Sequence, residues 1–150
     1  MDAKKLIRIG ALLIAVFAAV SIVVGVVNVN KSLSSMNDLS PEEAAMVESQ
    51  FDQAGVDMDS AVGLVSTIGY VTLAITSAFS ILKIVVSLLI LKKTDRSHNF
   101  FIAWGTVFLV FGIFGINIGF NLMGLCNLLA GIVGPVLLVV GGAQLKKQAA

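Results

Sequence analysis

Polar side chains recur on one side of an apolar stretch in the middle of the chain. The polar residues are Ser66, Thr72, Thr76, Ser80, Lys83 and Ser87. When Gly69, which lies between the first two, is included, each residue follows the previous one by three or four positions. From Gly69 onward they fall within an arc of about 80° on a helix. Hydroxyls and an amine are costly in contact with lipid, so this polar stripe either packs against a neighbouring helix or lines a water-filled path.

Lys83 is the one residue of the stripe whose side chain can carry a charge. It lies nine residues before Lys92, which is about 13 Å along a helix and close to the bilayer midplane. A lysine there costs roughly 2.5–3.5 kcal/mol on insertion scales. Three interpretations follow: a packing stripe with a neutral or snorkelling lysine, a pair with a carboxylate of another subunit, or the wall of a pore whose ring of lysines selects anions.

The rest of the chain offers no pattern for catalysis, metal binding or redox chemistry. Cys126 is the single cysteine and forms no internal disulfide or CxxC pair, and His98 is the single histidine. A calcium loop starting at Asp52 would need oxygen ligands where the chain has Ala54, Val56 and Gly63. No nucleophile has a base within reach. We therefore expect no enzyme, no catalytic residue, no metal site and no cofactor.

Composition places the protein in a membrane. Of 150 residues, 57% are hydrophobic and 13% are charged, and the mean hydropathy is +0.98; soluble domains have about 25% charged residues. A soluble domain this small cannot bury so much apolar surface. This excludes a soluble enzyme and a nucleic-acid binder, and it makes the lipid bilayer the first partner.

Four apolar runs are long enough to cross a hydrocarbon core of about 30 Å. They are residues 9–29, 62–91, 100–120 and 125–145. We expect an all-α fold: a single four-helix membrane domain over residues 1–150. The first run exceeds the roughly 7–15 apolar residues of a signal peptide, so we interpret it as a retained anchor. No Asp or Glu lies in these runs, which argues against the carboxylate proton relay of small multidrug antiporters.

Charge predicts the orientation. The N-terminal segment, the loop after the second run and the C-terminal tail together hold eight basic residues against two acidic ones. Residues 30–60 hold one basic residue and seven acidic ones. The positive-inside rule therefore places both termini in the cytoplasm and residues 30–60 outside. The short loops favour the plasma membrane of a prokaryote.

The outer segment contains a short amphipathic helix, predicted over about residues 41–54. Ser40 is the N-cap, Pro41 is the first helical residue and Glu43 completes a capping box. One face is apolar, with Ala44, Val47, Phe51 and Ala54. Gly55 is suited to end the helix, and Asp57 or Asp59 to cap the next one. This helix either covers the outer ends of the spans or docks an extracellular partner or cation.

Glycines recur in the last two spans and predict close helix packing. The glycines assigned to packing are Gly105, Gly112, Gly115, Gly119, Gly131 and Gly134. Because such residues let backbones approach, we expect the third and fourth spans to form a tight antiparallel hairpin with their glycine faces together. Pro135 cannot donate to the carbonyl of Gly131, so we expect the fourth span to bend there.

Two functions remain. The first is a non-enzymatic accessory, structural or immunity-type subunit that acts through helix contacts, as a homo-oligomer or with a membrane protein partner. The second is an oligomeric pore or channel lined by the polar stripe. The mass of the assembly separates them, because a closed ring favours the pore, whereas a monomer or a complex with another protein favours the accessory role.

Overall fold

The computed structural model describes residues 2–53, 55, 57–93, 97–114 and 121–149. Over these ranges the chain is helical and contains no strand. The helices are α1 (Ala3–Asn37), α2 (Pro41–Gln53), α3 (Met58–Lys92), α4 (His98–Phe114), α5 (Leu122–Leu128) and α6 (Gly134–Ala149). A π-helical turn, Leu129–Val133, joins α5 to α6, and we call it the π-turn.

Three helical segments of the described chain are long and apolar enough to cross a membrane. They lie at Ala3–Ser35, Asp59–Lys92 and Leu122–Ala149. This indicates a membrane protein. The helix α4 is apolar but shorter, and its 17 residues extend over about 25 Å. The predicted third span continues to residue 120, and its last part, residues 115–120, lies outside the described residues.

Both α1 and α3 are longer than the spans predicted from hydropathy. Each has 35 residues, or about 52 Å of helix. Past the apolar run of α1, the hydroxyls of Ser34 and Ser35 donate to helical carbonyls, the latter to Lys31 at 2.9 Å. At the start of α3, Asp57 is the cap, since its carboxylate accepts from the Ser60 amide at 3.1 Å. Hydropathy marks the apolar part of a helix, whereas hydrogen bonding and caps decide where it ends.

The chain divides into two compact units. The first, called unit 1, contains Met1–Val24 and Ala78–Ala150. The second, called unit 2, is Gly25–Ser77. The long helices α1 and α3 contribute to both units.

The core of unit 1 contains side chains from α1, α3, α4 and α6. Its fully or nearly fully buried members are Ile7, Ala11, Ile14, Val86, Ile90, Phe101, Phe108 and Leu138. Seven-residue spacings in α1 and α4 put these side chains on one face of each helix. Aromatic rings add to the packing: Trp104 lies 5.5 Å from Phe108 and Phe79 lies 4.8 Å from Phe111, measured between ring centroids.

Unit 2 contains the end of α1, the whole of α2 and the beginning of α3. The start of α2 has the reciprocal bonds of a capping box: the Ser40 amide donates to the Glu43 carboxylate at 3.1 Å, and the Glu43 amide donates to the Ser40 hydroxyl at 3.4 Å. Of the apolar face, Ala44, Val47 and Phe51 are half-buried, while the rest of α2 is exposed. After α2, Gly55 has a positive φ of 71°, a conformation that costs glycine little.

Candidate functional site

The polar stripe lies entirely on α3, and its residues belong to both compact units. Ser66, Thr72 and Thr76 are in unit 2. Ser80, Lys83 and Ser87 are in unit 1.

In unit 2, hydroxyls of the stripe are bonded within α3. Ser66 donates to the carbonyl of Gly63 at 2.9 Å. Thr76 donates to the carbonyl of Thr72 at 2.9 Å. Both threonines are exposed, and Ser66 is half-buried. Since the Ser66 and Thr76 hydroxyls already have a helical acceptor, they are compatible with an apolar as well as a wet environment.

In unit 1, Ser80 of α3 meets Ser21 of α1. Their hydroxyl oxygens are 3.5 Å apart. Ser21 donates its proton to the carbonyl of Ala18 at 2.8 Å, so Ser80 is the donor between the two hydroxyls. Ser21 was not among the predicted site residues, although it could have been noticed as the single serine of the first apolar run.

Ser87 is fully buried in unit 1, with no exposed surface. Its hydroxyl has no hydrogen-bond partner among the described residues. It lies beside Val86 and Ile90, which are buried in the core of the same unit. A side chain enclosed in its own chain does not line a lumen between subunits. An unpaired buried hydroxyl also costs about 1–3 kcal/mol.

Lys83 is half-buried and lies one turn before Ser87. In the part of the chain that the structure describes, it forms no ion pair. The sequence supplies no acidic residue between Asp59 and Asp95, so its own helix offers no counter-ion at its level. Lys83 is the one residue of the stripe with an ionisable side chain.

Glycines bring α4 into contact with the π-turn and α6. At Gly112, a Cβ would collide with the carbonyl oxygen of Gly131 and lie 2.8 Å from its Cα. At Gly105, a Cβ would lie 3.0 Å from the carbonyl oxygen of Pro135. Gly142 approaches α4 in the same way, next to Ile102. Since residue numbers rise along α4 as they fall along its partner, the two helices are antiparallel.

A second side of α6, about 100° around the helix from the first, packs against α1. A Cβ at Gly10 would lie 2.7 Å from the carbonyl oxygen of Gly134, and one at Gly141 would lie 3.0 Å from that of Ala3. Gly134 also faces Ile14. It was assigned to the hairpin of the last two spans, and the structure places it against the first helix instead. Sequence reasoning missed Gly10 at this contact, whereas Gly115 and Gly119 lie outside the described residues.

The π-turn lies where proline removes a donor from the helix. Pro135 has no amide proton for the carbonyl of Gly131, four residues earlier. Just before it, the amide of Gly134 donates to the carbonyl of Leu129, five residues back. The wider turn accommodates the interruption. It also carries Gly131, the residue that touches α4.

Comparison of the chain with family models, curated proteins and solved structures finds no match.

Proposed function

We propose that the chain is a small integral membrane protein that acts through helix–helix assembly, as a non-enzymatic accessory, structural or immunity-type subunit. The observation that carries the proposal is the inward placement of the stripe in unit 1. Ser80 meets a hydroxyl of α1, and Ser87 is fully buried. Hydroxyls placed in this way support packing between helices, which in lipid depends on close contacts and hydrogen bonds.

The proposal includes the topology. Four spans cross the plasma membrane of a prokaryotic cell, both termini are cytoplasmic, and residues 30–60 with α2 are outside. The third span, predicted over residues 100–120, begins with α4. Two findings support this arrangement: α6 runs antiparallel to both α1 and α4, as alternating crossings require, and α2 is capped between the two longest helices.

An oligomeric pore lined by the stripe is the second candidate. It is favoured by the exposure of Thr72 and Thr76, which the sequence spacing assigns to the same polar stripe as Lys83. In that case several copies of α3 would surround a water-filled path. The buried Ser87 would not belong to the lining, so the lining would end at Lys83.

Mass measurement with cross-linking, in nanodiscs, tests the choice between the two candidates. We expect a monomer, or a defined complex with another membrane protein, and no conductance in planar bilayers. A closed ring that conducts anions would overturn the proposal, provided that Lys83→Glu reverses or abolishes the anion preference. Lys92→Glu is the matched control, because this lysine is exposed at the end of α3.

A further inference from the structure

The helices α1, α4 and α6 have their ends together at one end of unit 1. A Cβ at Gly141 of α6 would lie 3.0 Å from the carbonyl oxygen of Ala3, the first residue of α1. A Cβ at Gly142 would lie 3.2 Å from the carbonyl oxygen of His98, the first residue of α4. Because α6 continues to Ala149, its last turns extend past the first residues of both neighbours.

This end of unit 1 is strongly positive. We call it the basic end, after five exposed side chains of α1 and α6: Lys4, Lys5, Arg8, Lys146 and Lys147. Unit 1 holds nine of the ten basic residues of the chain and two of its nine acidic ones. In the part of the chain that the structure describes, Lys5 and Arg8 form no ion pair. Their charges are therefore available to an anionic partner.

An exposed strip of α1 continues from these two basic residues into the first apolar run. The α1 strip consists of Lys5, Arg8, Leu12 and Val16. At 100° per residue its members fall within an arc of about 80°, and all of them are exposed. The buried residues of this part of α1 lie at least about 60° away around the helix: Ala3, Leu6, Ile7, Gly10, Ala11, Ile14 and Ala18. The strip therefore faces away from the helices of unit 1.

The order of side chains along the α1 strip matches the order of groups in a phospholipid. Arg8 directly precedes the apolar run that begins at residue 9, whereas Leu12 and Val16 lie about one and two turns inside it. A guanidinium pairs with two oxygens of a phosphate, and the arginine stem lies along apolar surface while its head stays at the interface. Charge complementarity selects a lipid with a net negative charge, because basic residues at a membrane surface attract anionic lipids.

We propose that the α1 strip is a binding site for an anionic phospholipid. Lys5 and Arg8 hold the phosphate of the headgroup, and an acyl chain lies along Leu12 and Val16. The other lysines of the basic end add to the positive potential around the headgroup. This site goes beyond the proposed assembly function and does not depend on it, since a monomer can bind a lipid in this way.

The test places a single tryptophan on the strip. In a Trp104→Phe background, which removes the one native tryptophan, Leu12→Trp is quenched by lipids whose brominated acyl chains touch it. The full chain is reconstituted in phosphatidylcholine liposomes with a fixed fraction of brominated phosphatidylglycerol or of brominated phosphatidylcholine. We expect the phosphatidylglycerol to show about fivefold higher relative affinity. Replacing both basic residues, Lys5→Gln with Arg8→Gln, should abolish this preference.

Two matched controls come from the same helix. Val23 lies on the same face of α1 as the strip and is 63% exposed, but it is about 16 Å from Leu12 along the helix. In Val23→Trp both brominated lipids should quench equally. Lys31→Gln removes an exposed lysine near the other end of α1 and should leave the preference at Leu12→Trp unchanged. Both leaflets contain the same lipids, so the result does not depend on the proposed orientation.

Equal quenching by the two lipids at Leu12→Trp, or the same preference at Val23→Trp, would overturn the inference. A preference that survives the double replacement, or that millimolar inorganic phosphate removes at constant ionic strength, would also overturn it. If the double variant does not fold, the comparison of the two tryptophan positions decides alone, and Val16→Trp replaces Leu12→Trp if that variant does not fold. The assembly proposal is tested separately, by mass and conductance, and does not fail with the lipid site.

Discussion

Gly112 and Gly131 bring two backbones into direct contact, and this contact has no room for a methyl group. A Cβ at Gly112 would lie 2.5 Å from the carbonyl carbon of Gly131, and a backbone atom cannot move away as a flexible side chain can. We expect Gly112→Ala to destabilise the protein by about 1–3 kcal/mol, measured as thermal unfolding in mild detergent.

The matched control is Gly63→Ala in α3. No atom lies within 4 Å of a Cβ at Gly63, and alanine is the better helix former. This variant should be at least as stable as the wild type. If Gly112→Ala unfolds at the same temperature as the control, the two backbones are not in contact in the membrane.

Replacing Ser87 and Ser80 of the stripe by alanine should change the stability of the protein in opposite directions. Ser87 has a buried hydroxyl without a partner, so Ser87→Ala should raise stability by about 1 kcal/mol. Ser80 pairs with Ser21, so Ser80→Ala should lower stability by roughly 0.5–1.5 kcal/mol. The stabilities of the two variants are compared by thermal unfolding in the same detergent. A loss of stability in Ser87→Ala would indicate that the Ser87 hydroxyl binds a group in the membrane.

The stripe was predictable as a set of residues but not as a set of environments. Helical periodicity places Thr76 and Ser87 on one side of α3, yet the first is exposed and the second is buried. Burial at each level depends on which neighbouring helix covers it, and a single helix does not contain that information. For the same reason, Ser21 could be noticed as a polar residue but not assigned to Ser80.

The N-terminal cap of α2 depends on the ionisation of Glu43. The Ser40 hydroxyl, and then its backbone amide, bond to the Glu43 carboxylate and hold the pKa of Glu43 below its ordinary value of 4.5. A lowered pKa means that the contribution of Glu43 to the cap is complete above pH 4.5 and is lost as the pH falls through the pKa in the folded state.

Ser40→Ala tests this cap. Without the hydroxyl, the pKa of Glu43 should rise toward its ordinary value, and α2 should lose about 1 kcal/mol of helix stability. Carboxyl-carbon NMR titration and amide exchange measure the two effects. Ser49→Ala is the control, because the Ser49 hydroxyl bonds to the carbonyl of Met46 within the same helix. A Glu43 pKa that is unchanged in Ser40→Ala would contradict the assignment.

Helix starts were more predictable than helix lengths. The capping box at Ser40 is a local pattern with a local cause, and it is present where the sequence places it. The extension of α1 to Asn37 was not predicted, because hydropathy is silent about polar residues that continue a helix. Pro135 predicted an interruption of the helix near Gly131. Whether the helix then forms a kink or a π-turn depends on how it packs against the neighbouring helix.

At the scale of the whole molecule, the proposed topology can be tested directly. In a Cys126→Ala background, Ser34→Cys should react with an impermeant thiol reagent added outside intact cells, and Ser97→Cys should not. Both positions are exposed, and the native Cys126 is buried. Labelling of Ser97→Cys without labelling of Ser34→Cys would show that the orientation is the reverse of the proposed one and that residues 30–60 are not outside.

The packing partners of α6 were the least predictable part of the fold. Glycine spacing marked Gly131 and Gly134 as contact residues, and both are buried. A spacing rule does not name the partner, because residues three apart lie only about 60° from each other around a helix. The two glycines nevertheless meet different neighbours, α4 for Gly131 and α1 for Gly134.

The position of α6 between α1 and α4 has a consequence for synthesis. Gly10 and Gly134 touch across 124 intervening steps of the chain (134 − 10). At about 5–20 residues per second, a ribosome needs roughly 6–25 s to make that length. During this interval the first helix has been synthesised and Gly134, which packs against it, has not, so the glycine face of the first helix lacks this contact. A chaperone or insertase that shields this face would act within that time, and proteases would find the nascent chain most vulnerable then.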